Sequence, residues 1–131
     1  MIQITKGSVN SIALTLTEKS TLTNPVYLFV FQSDETRDLY KCISTDTSSH
    51  TGRYNLFAIA ETVDNPDALA GEITLPIVGF YKYTIYEQED TENLDPSLST
   101  GVVEIGKAQV ITSSSTDSSV TNTNINYVYN E

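Results

Sequence analysis

Leu75-Pro76-Ile77-Val78-Gly79-Phe80-Tyr81-Lys82-Tyr83-Thr84-Ile85-Tyr86-Glu87 decides the fold class. From Gly79 onward, Tyr81, Tyr83 and Ile85 alternate with Lys82 and Thr84, the period of a strand buried on one side. The same period recurs on either side of it. Asn10 to Thr17 puts Ile12, Leu14 and Leu16 on one face, after a Lys6-Gly7-Ser8 turn that follows Ile2-Gln3-Ile4. Asn24-Pro25 opens Val26-Tyr27-Leu28-Phe29-Val30-Phe31, apolar on both faces and therefore expected inside a sheet. Further strands read as Leu39 to Ile43, Tyr54 to Ile59 and Glu72 to Leu75. Gly101 to Ile105 and Ala108 to Ile111 form a last pair or one bent strand. Turn-forming clusters at Ser33 to Thr36, Ser48 to Gly52, Asp64 to Asp67 and Asn93 to Pro96 punctuate the series. No window carries a sustained helical stripe. Thr62 to Ala70 holds at most one helical turn, with Asp64 as its cap.

Within the opening stretch, Gly79-Phe80-Tyr81 followed by inward-facing Tyr83 resembles the E–F corner of immunoglobulin-like domains. There a tyrosine hydroxyl bonds back to the backbone upstream. The resemblance makes Tyr81 the corner tyrosine and puts Tyr83 where an antibody domain has a cysteine. The fold expected is therefore all-β: an Ig-like antiparallel β-sandwich of seven or eight strands over residues 1–111. Leu14, Leu16, Leu28, Val30, Phe57, Ile59, Ile73, Tyr83 and Ile85 are its expected core.

Composition removes whole classes of function. With 131 residues the chain closes one core unaided. One cysteine, Cys42, excludes an intrachain disulfide framework, and one histidine, His50, excludes HExxH zinc chemistry. Seven basic against seventeen acidic residues, a net charge of −10, argue against a grip on nucleic acid or an anionic membrane. Five acids and five bases stand in residues 1–53, so the excess lies wholly beyond: twelve acids against two bases. No apolar run spans a bilayer, and Met1 to Lys6 carries no basic-then-apolar leader.

Candidate chemistry is sparse. Glu87, Glu89, Asp90, Glu92 and Asp95 crowd one segment, but their spacing is not that of a calcium loop, and it reads as an acidic loop facing water. His50 among Ser48, Ser49 and Thr51 lacks a nucleophile elbow and reads as a turn residue. Cys42 reads as a small core hydrophobe. The tyrosines of the strands are assigned to core and interface packing in preference to sugar stacking. No catalytic residue, cofactor or metal ligand is expected.

Residues 112–131 are mostly Ser, Thr and Asn. Such a segment cannot by itself offset about 1–2 kcal/mol of backbone entropy per ordered residue. It nevertheless ends in Ile125-Asn126-Tyr127-Val128-Tyr129, which alternates and favours strand. Ile125, Tyr127, Val128 and Tyr129 are thus candidates for an intersubunit or interprotein arm that pairs with a neighbour's sheet edge.

Several phrases resemble a family of small virion proteins of tailed phages infecting Bacteroidota, crAss-like phages among them. They are Ile4-Thr5-Lys6-Gly7, Leu14 to Lys19, Asn24 to Phe29, Arg53-Tyr54-Asn55, Gly79 to Gln88 and Thr100 to Gly106. The resemblance implies a non-enzymatic virion component made in the host bacterial cytoplasm, most simply an auxiliary or decoration protein on the capsid. A tail, collar or fibre-anchor component, or a tail-associated carbohydrate-binding module, is the alternative. Its partners would be the major capsid protein or portal and tail proteins, with copies of itself. Nucleic acid and membrane are not among them.

Overall fold

A computed structural model describes residues 1–50 and 52–112 of the chain. Eight strands follow in order: β1 Ile2–Thr5, β2 Val9–Leu14, β3 Val26–Ser33, β4 Leu39–Ser44, β5 Asn55–Glu61, β6 Glu72–Ile73, β7 Gly79–Gln88 and β8 Gly101–Ile111. Three single 3₁₀ turns, Thr17–Lys19, Ala68–Ala70 and Pro96–Leu98, lie between them. The strands build two sheets, β1-β8-β7-β3-β4 and β2-β5-β6. Strands 2 and 5 pair in one layer while 3, 7 and 8 pair in the other, which is the Ig-like arrangement.

Two edge pairs depart from an antiparallel sandwich. β1 lies parallel to β8, and β6 lies parallel to β5. Each has a topological cause. β1 and β8 come from opposite ends of the domain and share no hairpin, so nothing forces them antiparallel. The link from β5 to β6, residues 62–71, is long enough to carry the chain back to the start of a parallel neighbour. Gly71 ends that link in the left-handed region at φ 77°, where an added Cβ would sit 2.9 Å from the Ala58 carbonyl oxygen.

The core lies between the layers. β3 sends Tyr27, Phe29 and Phe31 inward, β7 sends Tyr81, Tyr83 and Ile85, and β5 answers with Phe57 and Ile59. Phe57 anchors the centre, edge-on to Tyr27 at 5.5 Å and to Phe29 at 5.0 Å between ring centroids. Tyr83 reaches its place because Gly106 stands opposite it; a Cβ there would lie 2.6 Å from the Tyr83 ring. Leu28 and Val30 are buried as expected but on the other face. With Ile43 they form a second cluster packed by Leu94 from the β7–β8 connection. Of the nine expected core residues only Leu14 is half-buried.

Local corrections follow from side-chain hydrogen bonds. β2 stops at Leu14 rather than Thr17 because the Asn55 carboxamide oxygen takes the amides of Leu16 and Thr17 at 2.7 and 3.1 Å. The turn in residues 62–70 is Ala68–Ala70 alone. Its cap is Asp67, whose carboxylate accepts from the Leu69 amide at 3.1 Å, and not Asp64. β8 is one strand, with its register shifted opposite Ile85 and Tyr86. No helix of the described residues is long and apolar enough to cross a membrane.

Candidate functional site

The inward rows of β7 and β5 end on polar side chains that close the ends of the sandwich. On β7, the row Tyr81, Tyr83, Ile85 ends at Glu87, which is only 3% exposed. Its carboxylate accepts from the Thr21 amide at 2.9 Å, the Thr21 hydroxyl at 2.8 Å and the Leu22 amide at 3.2 Å. Glu87 is therefore not part of a solvated acidic loop. It is the tether of the loop between β2 and β3, and strand parity put it inside. On β5 the row is closed at both ends, by Asn55 and by Glu61. Glu61 accepts from the Gly7 amide at 2.8 Å and the Leu75 amide at 3.0 Å, with the Lys6 ammonium 3.8 Å away.

Glu87 and Asn55 hold the walls of a crevice of about 300 Å³ between residues 17–25 and the β4–β5 connection. Asp46 stands in its wall. One carboxylate oxygen takes the amides of Ser48 and Leu56, each at 2.9 Å, and the other takes the Asn55 amide NH₂ at 2.6 Å. The Tyr27 hydroxyl pairs with the Ser20 hydroxyl at 2.8 Å. Burial pushes the Tyr27 phenol up, the Ser20 bond opposes this, and the charges of Asp46 and Glu87 add to it. These buried polar groups are spent on one another and on backbone, so the crevice is a braced hollow lined by hydroxyls and one carboxylate.

The expected residues fall in separate places. The Tyr81 hydroxyl donates to the Ile77 carbonyl at 2.7 Å and accepts from the Ile77 amide, the back-bond of a tyrosine corner. Tyr83 donates to Glu104 at 2.6 Å, and Glu104 pairs with Lys19 at 2.6 Å. Burial works against the Glu104 carboxylate, but the Lys19 and Tyr83 hydrogen bonds outweigh it and hold its pKa below the usual range. Burial likewise drives the Tyr83 phenol up, with Glu104 adding to the shift. Cys42 is fully buried and unpaired with any cysteine, its thiol pushed up to about 12 by desolvation. His50 is exposed, its ring 6.5 Å from that of Tyr54. Glu89, Asp90, Glu92 and Asp95 are exposed. Two of them brace the loop: Asp90 takes the Glu92 amide, and Asp95 takes the amide and hydroxyl of Ser97. Those Ser97 bonds lower the Asp95 pKa. No group of three His, Cys, Asp or Glu suited to a metal occurs among the described residues. Ile125, Tyr127, Val128 and Tyr129 lie outside the described residues.

No protein-family model matches the chain, and no curated protein does. A solved structure of a candidate glycoside hydrolase from Bacteroides vulgatus aligns at 10% identity with a TM-score of 0.43, covering 86% of this chain. The chain spans 17% of that protein's length, and a likeness this slight carries no inference about activity.

Proposed function

We propose that this chain is a non-enzymatic structural protein of a phage virion, an auxiliary or decoration protein that docks on the capsid and helps assemble or stabilise it. The observation that carries the reading is the outward face of β8. Val102 and Ile105 stand 50% and 58% exposed there, opposite Tyr86 and Thr84, with Leu98 73% exposed in the turn just before. Single exposed aliphatics are ordinary on any surface. A pair set along one strand of a rigid five-stranded sheet gives a docking protein a firm apolar contact without a moving part. The phrases that resemble phage virion proteins run through the strands that build this sandwich, which supports the same reading. Docking partners are then the major capsid protein or portal and tail proteins, with the chain made in the host cytoplasm and incorporated into the virion.

The test is mass spectrometry of purified particles with copy number, joined to a variant that puts charge on the face. Incorporation at shell-lattice copy number, lost in Val102→Asp/Ile105→Asp while the fold is kept, is the expected result. Copies repeated around one axis only would place the protein in the tail or collar instead. Absence from particles would end the proposal. The carbohydrate-binding alternative loses one of its stacking platforms, because Tyr27 is 4% exposed and edge-on to Phe57.

A further inference from the structure

The β3–β4 ladder ends at the Tyr27–Ser44 pair. Two residues before Tyr27 stands Pro25, which has no N–H with which to extend the ladder, and there the two chains part. The crevice of about 300 Å³ lies in that gap, with a smaller hollow of about 170 Å³ beside it, and Pro25, Tyr27, Thr45 and Asp46 line both. The floor is fixed, because Ser20, Tyr27 and Asn55 bond to one another's neighbours and to backbone. The rim is not. Thr23, Asn24 and Thr45 are exposed, and among the described residues their side chains have no hydrogen-bond partner. Asp46 stands between floor and rim. An ionised carboxylate offers about four lone-pair sites. The amides of Ser48 and Leu56 fill one Asp46 oxygen, while the other takes only the Asn55 NH₂ and keeps a site open.

We propose that this crevice binds a neutral saccharide through Asp46, Thr23, Asn24 and Thr45. The chemistry of the lining selects the ligand. Both rim hydroxyls and the Asn24 carboxamide can donate and accept, and so can each hydroxyl of a sugar. The open site on Asp46 calls for a donor, and its charge makes that bond the strongest in the crevice. No Lys, Arg or His lines either hollow, so an anionic ligand would meet an unbalanced carboxylate. A lone ammonium group would satisfy Asp46 but leave the three rim groups unmatched, whereas a ring bearing several hydroxyls serves them all. Leu22 and Pro25 give the C–H side of such a ring an apolar surface. A volume of about 300 Å³ is at the low end for ligand sites, which suits one sugar unit with a linked unit reaching the smaller hollow. Recognition here rests on hydrogen bonds and not on aromatic stacking, so the burial of Tyr27 does not oppose it. Without a stacking face, affinity for a single unit is on the order of millimolar. The site is independent of the docking face on β8.

Amide NMR of the isotopically labelled full chain tests this without particles. The probes are the methyl glycosides of glucose, mannose, galactose, fucose and N-acetylglucosamine, with methyl glucuronide as the anionic counterpart. At least one neutral glycoside should shift the amides of Leu22 to Asn24 and of Thr45 and Asp46 saturably. The double substitution Thr23→Val/Thr45→Val removes two rim hydroxyls that bond to nothing in the protein, so the core amides should stay in place while binding weakens about tenfold. Methyl glucuronide should leave the crevice amides unmoved. No saturable shift with any neutral glycoside up to about 50 mM would overturn the proposal. So would shifts gathered elsewhere on the surface, undiminished binding in the double variant, or saturable binding of the glucuronide at the crevice.

Discussion

Replacing Glu87 with Ala should be among the most damaging polar substitutions in this protein, and its cost can be worked from the geometry. The carboxylate is 3% exposed and receives three donors, the Thr21 amide, the Thr21 hydroxyl and the Leu22 amide, at 2.8 to 3.2 Å. Hydrogen bonds to a charged acceptor contribute about 1.5–3 kcal/mol each. Their sum overstates the loss, because Thr21 lies at the surface and water reaches its amide once the carboxylate is gone. The native state is also relieved of a buried charge. A net loss of about 2–4 kcal/mol remains for Glu87→Ala, and about 1–2 kcal/mol for Glu87→Gln, which keeps shape and one acceptor oxygen. The chain has no Trp, so urea unfolding is followed by far-UV circular dichroism and tyrosine emission. Exchange of the Thr21 and Leu22 amides should quicken in both variants. A Glu87→Ala loss below about 0.5 kcal/mol would refute the tether and leave the loop held by packing alone.

Other substitutions probe the rest of the frame. Ile85→Ala, at a fully buried site, should cost about 2–5 kcal/mol in the same urea titration, and a loss under about 1 kcal/mol would contradict its place in the core. Gly106→Ala drives a methyl onto the Tyr83 ring and should cost about 1–3 kcal/mol; an unmoved midpoint would deny the close approach. Because its pKa is depressed in the folded protein, Glu104 contributes stability that is fully present above the ordinary carboxyl value, about pH 4.3, and lost as pH falls through its lower folded value. Lys19→Met should flatten that part of the acid limb of a stability–pH curve, and an unchanged limb would show the Lys19 contact to be inert. Cys42 should resist thiol reagents in the native protein and react on unfolding, whereas prompt native reaction would place it at the surface.

Much of the frame is legible in residue order. Period 2 alone places Tyr81, Tyr83 and Ile85 on one face, and the same parity carried two residues further puts Glu87 inside with them. Charge groups that glutamate with Glu89 and Asp90 in a wet loop. Parity was the stronger signal, because a strand that continues to Gln88 cannot turn one side chain out of its row. Asn55 and Glu61 follow the same rule at the two ends of the inward row of β5. The end of β2 carried no such signal. It depends on Asn55, a residue 39 positions away from the Leu16 amide that it captures. The burial of Leu28 and Val30 was expected, but which layer would cover them was not. That depends on Leu94 folding back across the outer face from the β7–β8 connection.

Residue order by itself determined the strand series opened by Gly79 to Glu87 and the inward row Tyr81, Tyr83 and Ile85. These depend on side-chain alternation and backbone geometry, which act over a few residues. Tertiary structure alone decided that β1 runs parallel to β8, that β6 runs parallel to β5, and that buried carboxylates tie loops to the ends of the sandwich. Each of these joins residues far apart in the chain, and no local preference encodes which distant backbone amide a carboxylate will meet. The physical cause is packing: once two twisted sheets close on a shared core, polar groups at their ends must find partners where the fold leaves them.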